Sequence, residues 1–175
     1  MTLEAKLSRC IGSCRISRRS IAFLMVALAA VLPCHAWAAT TTTTFTVTAV
    51  VISVCAVAAQ PLTFGNYNPL SANPLEATTT VTTTCTLNTP YTVGLDDGLN
   101  VSGSQRRMAL LTNFLGYNLF SDSSRTQRWG SAGAELVSGT GSGLPQNLTV
   151  YGRIPAGQAI GTGAFADVIT VTVTY

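Results

Sequence analysis

Thr40-Thr41-Thr42-Thr43-Thr44-Phe45-Thr46-Val47-Thr48-Ala49-Val50-Val51 decides how this chain is read. From Thr44 to Val51 one face carries Phe45, Val47, Ala49 and Val51, and most of the other is threonine. Alternation of this kind, rich in β-branched residues, predicts a half-buried β-strand. No turn signal precedes it, so the strand is free at one end. A free strand can pair with its own domain or with another molecule.

What lies before that strand reads as a secretion signal. Lys6, Arg9, Arg15, Arg18 and Arg19 make a basic start, and Ile21 to Leu32 is an unbroken apolar run. The run is too short to span a membrane and suits the core of a signal peptide. Ala36-Trp37-Ala38 is a small-x-small cleavage pattern, which puts residues 1–38 in the signal and Ala39 at the mature N-terminus. Export through Sec to the periplasm is the expectation. Ser17-Arg18-Arg19 also admits a twin-arginine route, and Cys34 a lipoprotein, although Pro33 is a poor residue before a lipidated cysteine.

Removing the signal changes the charge. Residues 39–175 hold Arg106, Arg107, Arg125, Arg128 and Arg153 against Glu76, Asp96, Asp97, Asp122, Glu135 and Asp167, with no lysine and no histidine. Near neutrality argues against nucleic acid, which is bound through a basic surface. The mature segment has the length of one domain. Cys55 and Cys85 remain in it, and two cysteines in an exported domain read as one disulfide, the alternative being two free buried thiols.

Along the rest of the chain strand patterns recur between turn residues, and helical periodicity is nearly absent. Val50 to Val57 is apolar on both faces, as in a strand buried between two layers. Leu62 to Phe64, Val81 to Leu87, Tyr91 to Leu95, Arg107 to Leu111, Leu115 to Phe120, Leu148 to Ile154 and Val168 to Tyr175 follow as short strands. Asp96-Asp97-Gly98 reads as a turn, Ser138 to Gly143 as a flexible loop and Gly157 to Gly163 as a turn-rich connector. Seven or eight such strands predict an all-β fold, an antiparallel β-sandwich of immunoglobulin-like type. A lipocalin-like barrel would need more even hairpins and a polar or roomy interior. Both ends of the mature chain are uncapped alternating strands without charge, which monomeric proteins usually avoid. These ends either pair with each other or join subunits.

Catalytic chemistry finds little support. Asp96 and Asp97 are adjacent carboxylates but sit in a turn pattern. Gly139, Gly141 and Gly143 lack the strand–loop–helix setting of a phosphate loop. No cluster of Cys, His and Asp suits a metal. Arg106-Arg107 reads as the solvated edge of a strand, with contact to an acidic partner or chaperone as the sharper alternative. Trp129 reads as a core anchor before it reads as a sugar-stacking platform.

Several motifs taken in order carry a resemblance. They are Leu62-Thr63-Phe64-Gly65-Asn66-Tyr67, Thr84-Cys85-Thr86, Tyr91 to Gly98, Arg107-Met108, Leu115 to Phe120, Val150 to Pro155 and Asp167 to Tyr175. The series resembles the spore coat protein U domain, which is shared with the Csu-type archaic chaperone–usher pilins. The resemblance implies a secreted, non-enzymatic structural subunit without cofactor or small-molecule substrate, for a pilus, a spore or cyst coat, or a biofilm fibre. Its implied partners are a periplasmic chaperone, an outer-membrane usher, and identical or related subunits. It implies a sandwich of residues 52–175 that lacks its last strand and is completed by donor-strand exchange. Residues 39–51 would be the donor extension, with Phe45, Val47, Ala49 and Val51 as plugs. Ile169, Val171, Val173 and Tyr175 would edge the acceptor groove, and Cys55 and Cys85 would form the intradomain disulfide. A tip adhesin of the same fibre is the alternative role.

Overall fold

A computed structural model describes residues 38–175; all of the predicted 1–38 signal except Ala38 lies outside the described part. The backbone contacts divide the chain at Thr46, and the segment from Val47 to Tyr175 is taken first. It holds eight strands: β1 (Cys55–Ala59), β2 (Leu75–Cys85), β3 (Pro90–Leu95), β4 (Arg106–Leu110), β5 (Asn113–Phe120), β6 (Val137–Thr140), β7 (Gln146–Ile154) and β8 (Val171–Thr174). A single 3-10 turn spans Gly133–Glu135. The strands form a five-stranded sheet in the order β1-β2-β7-β5-β4 and a three-stranded sheet in the order β6-β3-β8. Every ladder is antiparallel. The fold is the expected all-β, immunoglobulin-like antiparallel sandwich.

Strand β2 shows why these residues make such a sheet. Val81, Thr83 and Cys85 face inward and are buried, while Thr82 and Thr84 on the other face are more accessible. The β-branched threonines fit the pleat and pair across strands. Thr82 Oγ1 donates to Asn147 Oδ1 at 2.8 Å, and these residues are register partners. The buried Thr83 hydroxyl donates to the Tyr91 hydroxyl at 3.1 Å, so its burial leaves it paired. Val93, Leu95, Tyr117, Leu119, Trp129, Val150 and Ile154 complete the core between the sheets. Trp129 is the anchor its sequence suggests: it is buried, and its indole N–H donates to the Val93 carbonyl at 2.9 Å.

Three expectations need correction. Val50 to Val57 is not a strand buried on two faces. The ladder begins only at Cys55, and Val50, Val51, Ile52 and Val54 are exposed, because no second layer covers them. Ser138 to Gly143 is not all loop: only Gly141 to Gly143 lie in the β6–β7 connection. Ser138, Gly139 and Thr140 lie in β6, and a Cβ on Gly139 would stand 2.5 Å from the Tyr91 ring. Glycine there permits a close approach and does not loosen the chain.

Arg106, thirdly, is not a solvated strand edge. It is 0% exposed. Its guanidinium donates to the carbonyls of Leu95 at 2.9 Å, Asp96 at 2.6 Å and Trp129 at 2.8 Å. Asp97 lies 3.6 Å away and also pairs with Arg128, which in turn pairs with Glu135. Arg107 does sit at a strand edge, over the Phe114 ring at 4.3 Å. The Asp96-Asp97-Gly98 turn stands as read: the Asp96 carboxylate accepts the Gly98 amide, and Gly98 has φ +74°.

Candidate functional site: an apolar groove beside an open strand edge

Strand β8 has one neighbour. It pairs with β3 from Thr92↔Thr174 to Leu95↔Val171, and its other edge carries no strand among the described residues. The Asp96 amide donates to the Thr170 carbonyl at 3.0 Å, which fixes the phase of the ladder. Hydrogen-bonded and non-bonded pairs alternate in an antiparallel ladder. Thr172 and Thr174 therefore point their backbone groups at β3, and Val171 and Val173 point theirs at the open edge.

Beside that edge runs an apolar groove of about 1030 Å³. Its floor is the inner face of the larger sheet, with Val81, Leu115, Leu119, Val150 and Ile154. One rim is the stretch from Ala59 to Tyr67, and the other is Ile160 to Val171. The first rim follows β1 but joins no ladder, so the expected strand at Leu62 to Phe64 is extended chain only. Leu62 and Phe64 lie directly on β7, where a Cβ on Gly152 would stand 2.7 Å from either side chain. Gln60 ties this rim to β2, since its amide donates to the Thr80 carbonyl at 3.0 Å and its carbonyl accepts the Thr79 hydroxyl at 2.8 Å. The Tyr67 hydroxyl ties the far end, donating to the Pro155 carbonyl and accepting the Gln158 amide, both at 2.9 Å.

The second rim is held by polar contacts at its base. Asp167 accepts the Tyr117 hydroxyl at 2.7 Å and the Leu99 amide at 2.9 Å. Burial, and then the Asp167 hydrogen bond, push the Tyr117 phenol well above its usual range. Ala166 bridges to Ala109 of β4, so the chain crosses between the sheets before β8 begins. That crossing confines the ladder to Val171–Thr174, shorter than the expected Val168 to Tyr175. The Asp96 carboxylate accepts the Thr170 amide at 2.9 Å. Burial raises that carboxyl, but the hydrogen bonds from Thr170 and Gly98 and the Arg106 charge outweigh it and hold it below its ordinary value. The buried Arg106 thus serves the groove indirectly, by fixing the turn from which β8 is positioned.

Of the expected acceptor residues, Ile169 and Val171 line the groove. Val173 packs against the core further along β8, and Tyr175 is exposed at the end. Cys55 and Cys85 are disulfide-bonded, joining the first residue of β1 to the last of β2. Val47, Ala49 and Val51 belong to no ladder, and Val47 and Val51 are 80% and 84% exposed. The two chain ends therefore do not pair over Val47–Val51. In the separate N-terminal unit, described from Ala38 to Thr46, Phe45 is 86% exposed and belongs to no strand. Sequence reasoning missed Ile160 and Phe165 as rim residues. The sign of them was a pair of apolar side chains in an otherwise Gly- and Ala-rich connection.

The spore coat protein U domain model matches residues 41–172. The chain belongs to the spore coat protein U domain family. A curated relative of this spore coat U chain is Protein U of Myxococcus xanthus, 33% identical over 127 residues, which cover 65% of the chain and 71% of that protein. A similar solved structure is the CsuC–CsuE chaperone–tip adhesion subunit pre-assembly complex from archaic chaperone–usher Csu pili of Acinetobacter baumannii. The likeness has a TM-score of 0.52 and 28% identity, and covers 71% of the spore coat U chain. The chain spans 40% of the length of the one it matches there. The family and the Csu subunit are structural and adhesion proteins rather than enzymes.

Proposed function

We propose that this spore coat U domain is an exported structural subunit of a surface fibre or coat, joined to its neighbours by strand donation. Residues 1–38 direct export, residues 39–51 are the donor extension, and residues 52–175 form the acceptor sandwich. The observation that carries this is the coexistence, in one chain, of an open strand edge over an apolar groove and an alternating apolar segment that joins no ladder among the described residues. Phe45, Val47, Ala49 and Val51 of one copy enter the groove of the next, antiparallel to β8 like every other ladder of the fold. Their backbone meets the free groups of Val171 and Val173. Burying a plug side chain stabilises by roughly 1.5–3 kcal/mol. Each ladder hydrogen bond adds about 0.5–1.5 kcal/mol. Four plugs and a ladder outweigh the loss of freedom on association.

The groove is apolar and its edge is unsatisfied, so an unassembled subunit needs a cover. A periplasmic chaperone supplies it, and an outer-membrane usher passes the subunit to the growing polymer; the likeness to a chaperone-bound Csu subunit supports this route. Deletion of residues 40–51 tests the reading. The truncated subunit is expected to be recovered with its chaperone and to form no fibres by electron microscopy. Normal assembly of the truncated chain would overturn it. The tip subunit in the similar structure favours a second role, surface adhesion, which tight binding of the monomer to glycans or abiotic surfaces would reveal.

A further inference from the structure

We infer that a second, apolar interface between consecutive copies locks the joint that strand donation makes, with the Leu87–Leu144 end of one subunit seated on the Leu99–Val168 end of the next. The inference rests on the donor-strand reading and adds a contact outside the groove.

The first patch surrounds the root of the extension. The Thr86 amide donates to the Val54 carbonyl at 2.9 Å, and the Val54 amide donates to Thr86 Oγ1 at 3.0 Å. The Gly143 amide donates to the Cys85 carbonyl at 3.0 Å, and the Asn88 amide to the Gly141 carbonyl at 2.8 Å. These bonds bring the β2–β3 turn and the β6–β7 loop together beside the emerging chain. Ile52, Val54, Leu87 and Leu144 are the large apolar side chains there, and all four are exposed. A cluster of this kind, gathered by backbone bonds around one point, differs from singly scattered surface leucines.

The second patch lies at the opposite end of β3, about 20 Å away for a strand of this length. The Leu99 amide donates to Asp167 at 2.9 Å, which places Leu99 beside Val168, and both side chains are exposed. Val168 immediately precedes the groove residue Ile169.

Connector length names the occupant. A donor antiparallel to β8 places its Val51 end next to Ile169–Val171. Only Ile52, Ser53 and Val54 then separate it from Cys55, the first ladder residue of its own domain. Three residues extend at most about 11 Å. The donor's domain must therefore stand against the Leu99–Val168 end of the acceptor. The patches sit at opposite ends of one subunit, so the contact is head-to-tail and propagates without closing.

Fibres from cells producing the full chain test this, with persistence length read from electron micrographs. L87K/L144K leaves the plugs intact, so fibres are expected to form but to bend, their persistence length falling at least threefold. L99E/V168E should do the same from the other end. The quadruple variant, basic at one end and acidic at the other, should recover stiffness. All these side chains are exposed, and circular dichroism of the purified variants checks that they fold. Fibres of both double variants as stiff as wild type would overturn the interface while leaving strand donation intact. Undiminished assembly of F45S/V47S would show instead that the donor-strand reading fails, and this interface with it.

Discussion

Cys55, the first residue of β1, is bonded to Cys85, the last residue of β2, with their Cα atoms 4.1 Å apart. The bond sits where the extension leaves the sandwich, and β1 is an edge strand of five residues. Closing a loop of 30 residues stabilises by about 3–4 kcal/mol in the chain-entropy model. C55A/C85A is expected to lose about that much, measured by urea unfolding of the purified protein. An unchanged midpoint would remove the bond from the stability account.

Arg106 predicts a larger loss. Its side chain is buried and serves the carbonyls of Leu95, Asp96 and Trp129. R106M strands those acceptors and leaves Asp97 with Arg128 alone; the cost expected is about 3–5 kcal/mol by urea unfolding. R106K should recover only part of it, because an ammonium cannot reproduce the planar fork.

Stability should fall at both extremes of pH, for separate reasons. The folded Asp96 carboxyl is held below its ordinary value, so its contribution is complete above about pH 4 and is lost as pH drops through the folded value. D96N should flatten part of this acid limb. Some will remain, because Asp122 is also lowered, chiefly by the Gln127 amide it accepts. The Tyr117 phenol is raised, so its contribution is present below about pH 10 and lost above it. Y117F should remove that alkaline loss. Urea midpoints measured across pH check both.

The sandwich was legible because its central strands alternate cleanly. Tyr91 to Leu95 and Leu148 to Ile154 were read within two residues of their observed limits. What was not legible depends on contacts across the fold. Gly139 and Gly141 read as loop residues in one dimension. In three, a Cβ on Gly139 would meet Tyr91, and one on Gly141 would stand 2.2 Å from the Thr86 carbonyl oxygen. Arg106 looked solvated because an arginine pair gives no sign of three carbonyls converging on one of them. Leu62 and Phe64 alternate like a strand, yet they form a rim, since no strand pairs beside them among the described residues. The unpaired Val47 to Val51 was the clearest signal for function: its alternation predicted burial that its own domain does not provide.

The free backbone amides of β8 give the most direct test of strand donation. Hydrogen exchange at Val171 and Val173 should be followed with and without a peptide of residues 40–51, the domain being released from its chaperone. The account predicts that both amides become protected when the peptide is present, and that a peptide carrying F45S/V47S fails to protect them. Equally fast exchange at both positions with the natural peptide bound would contradict it.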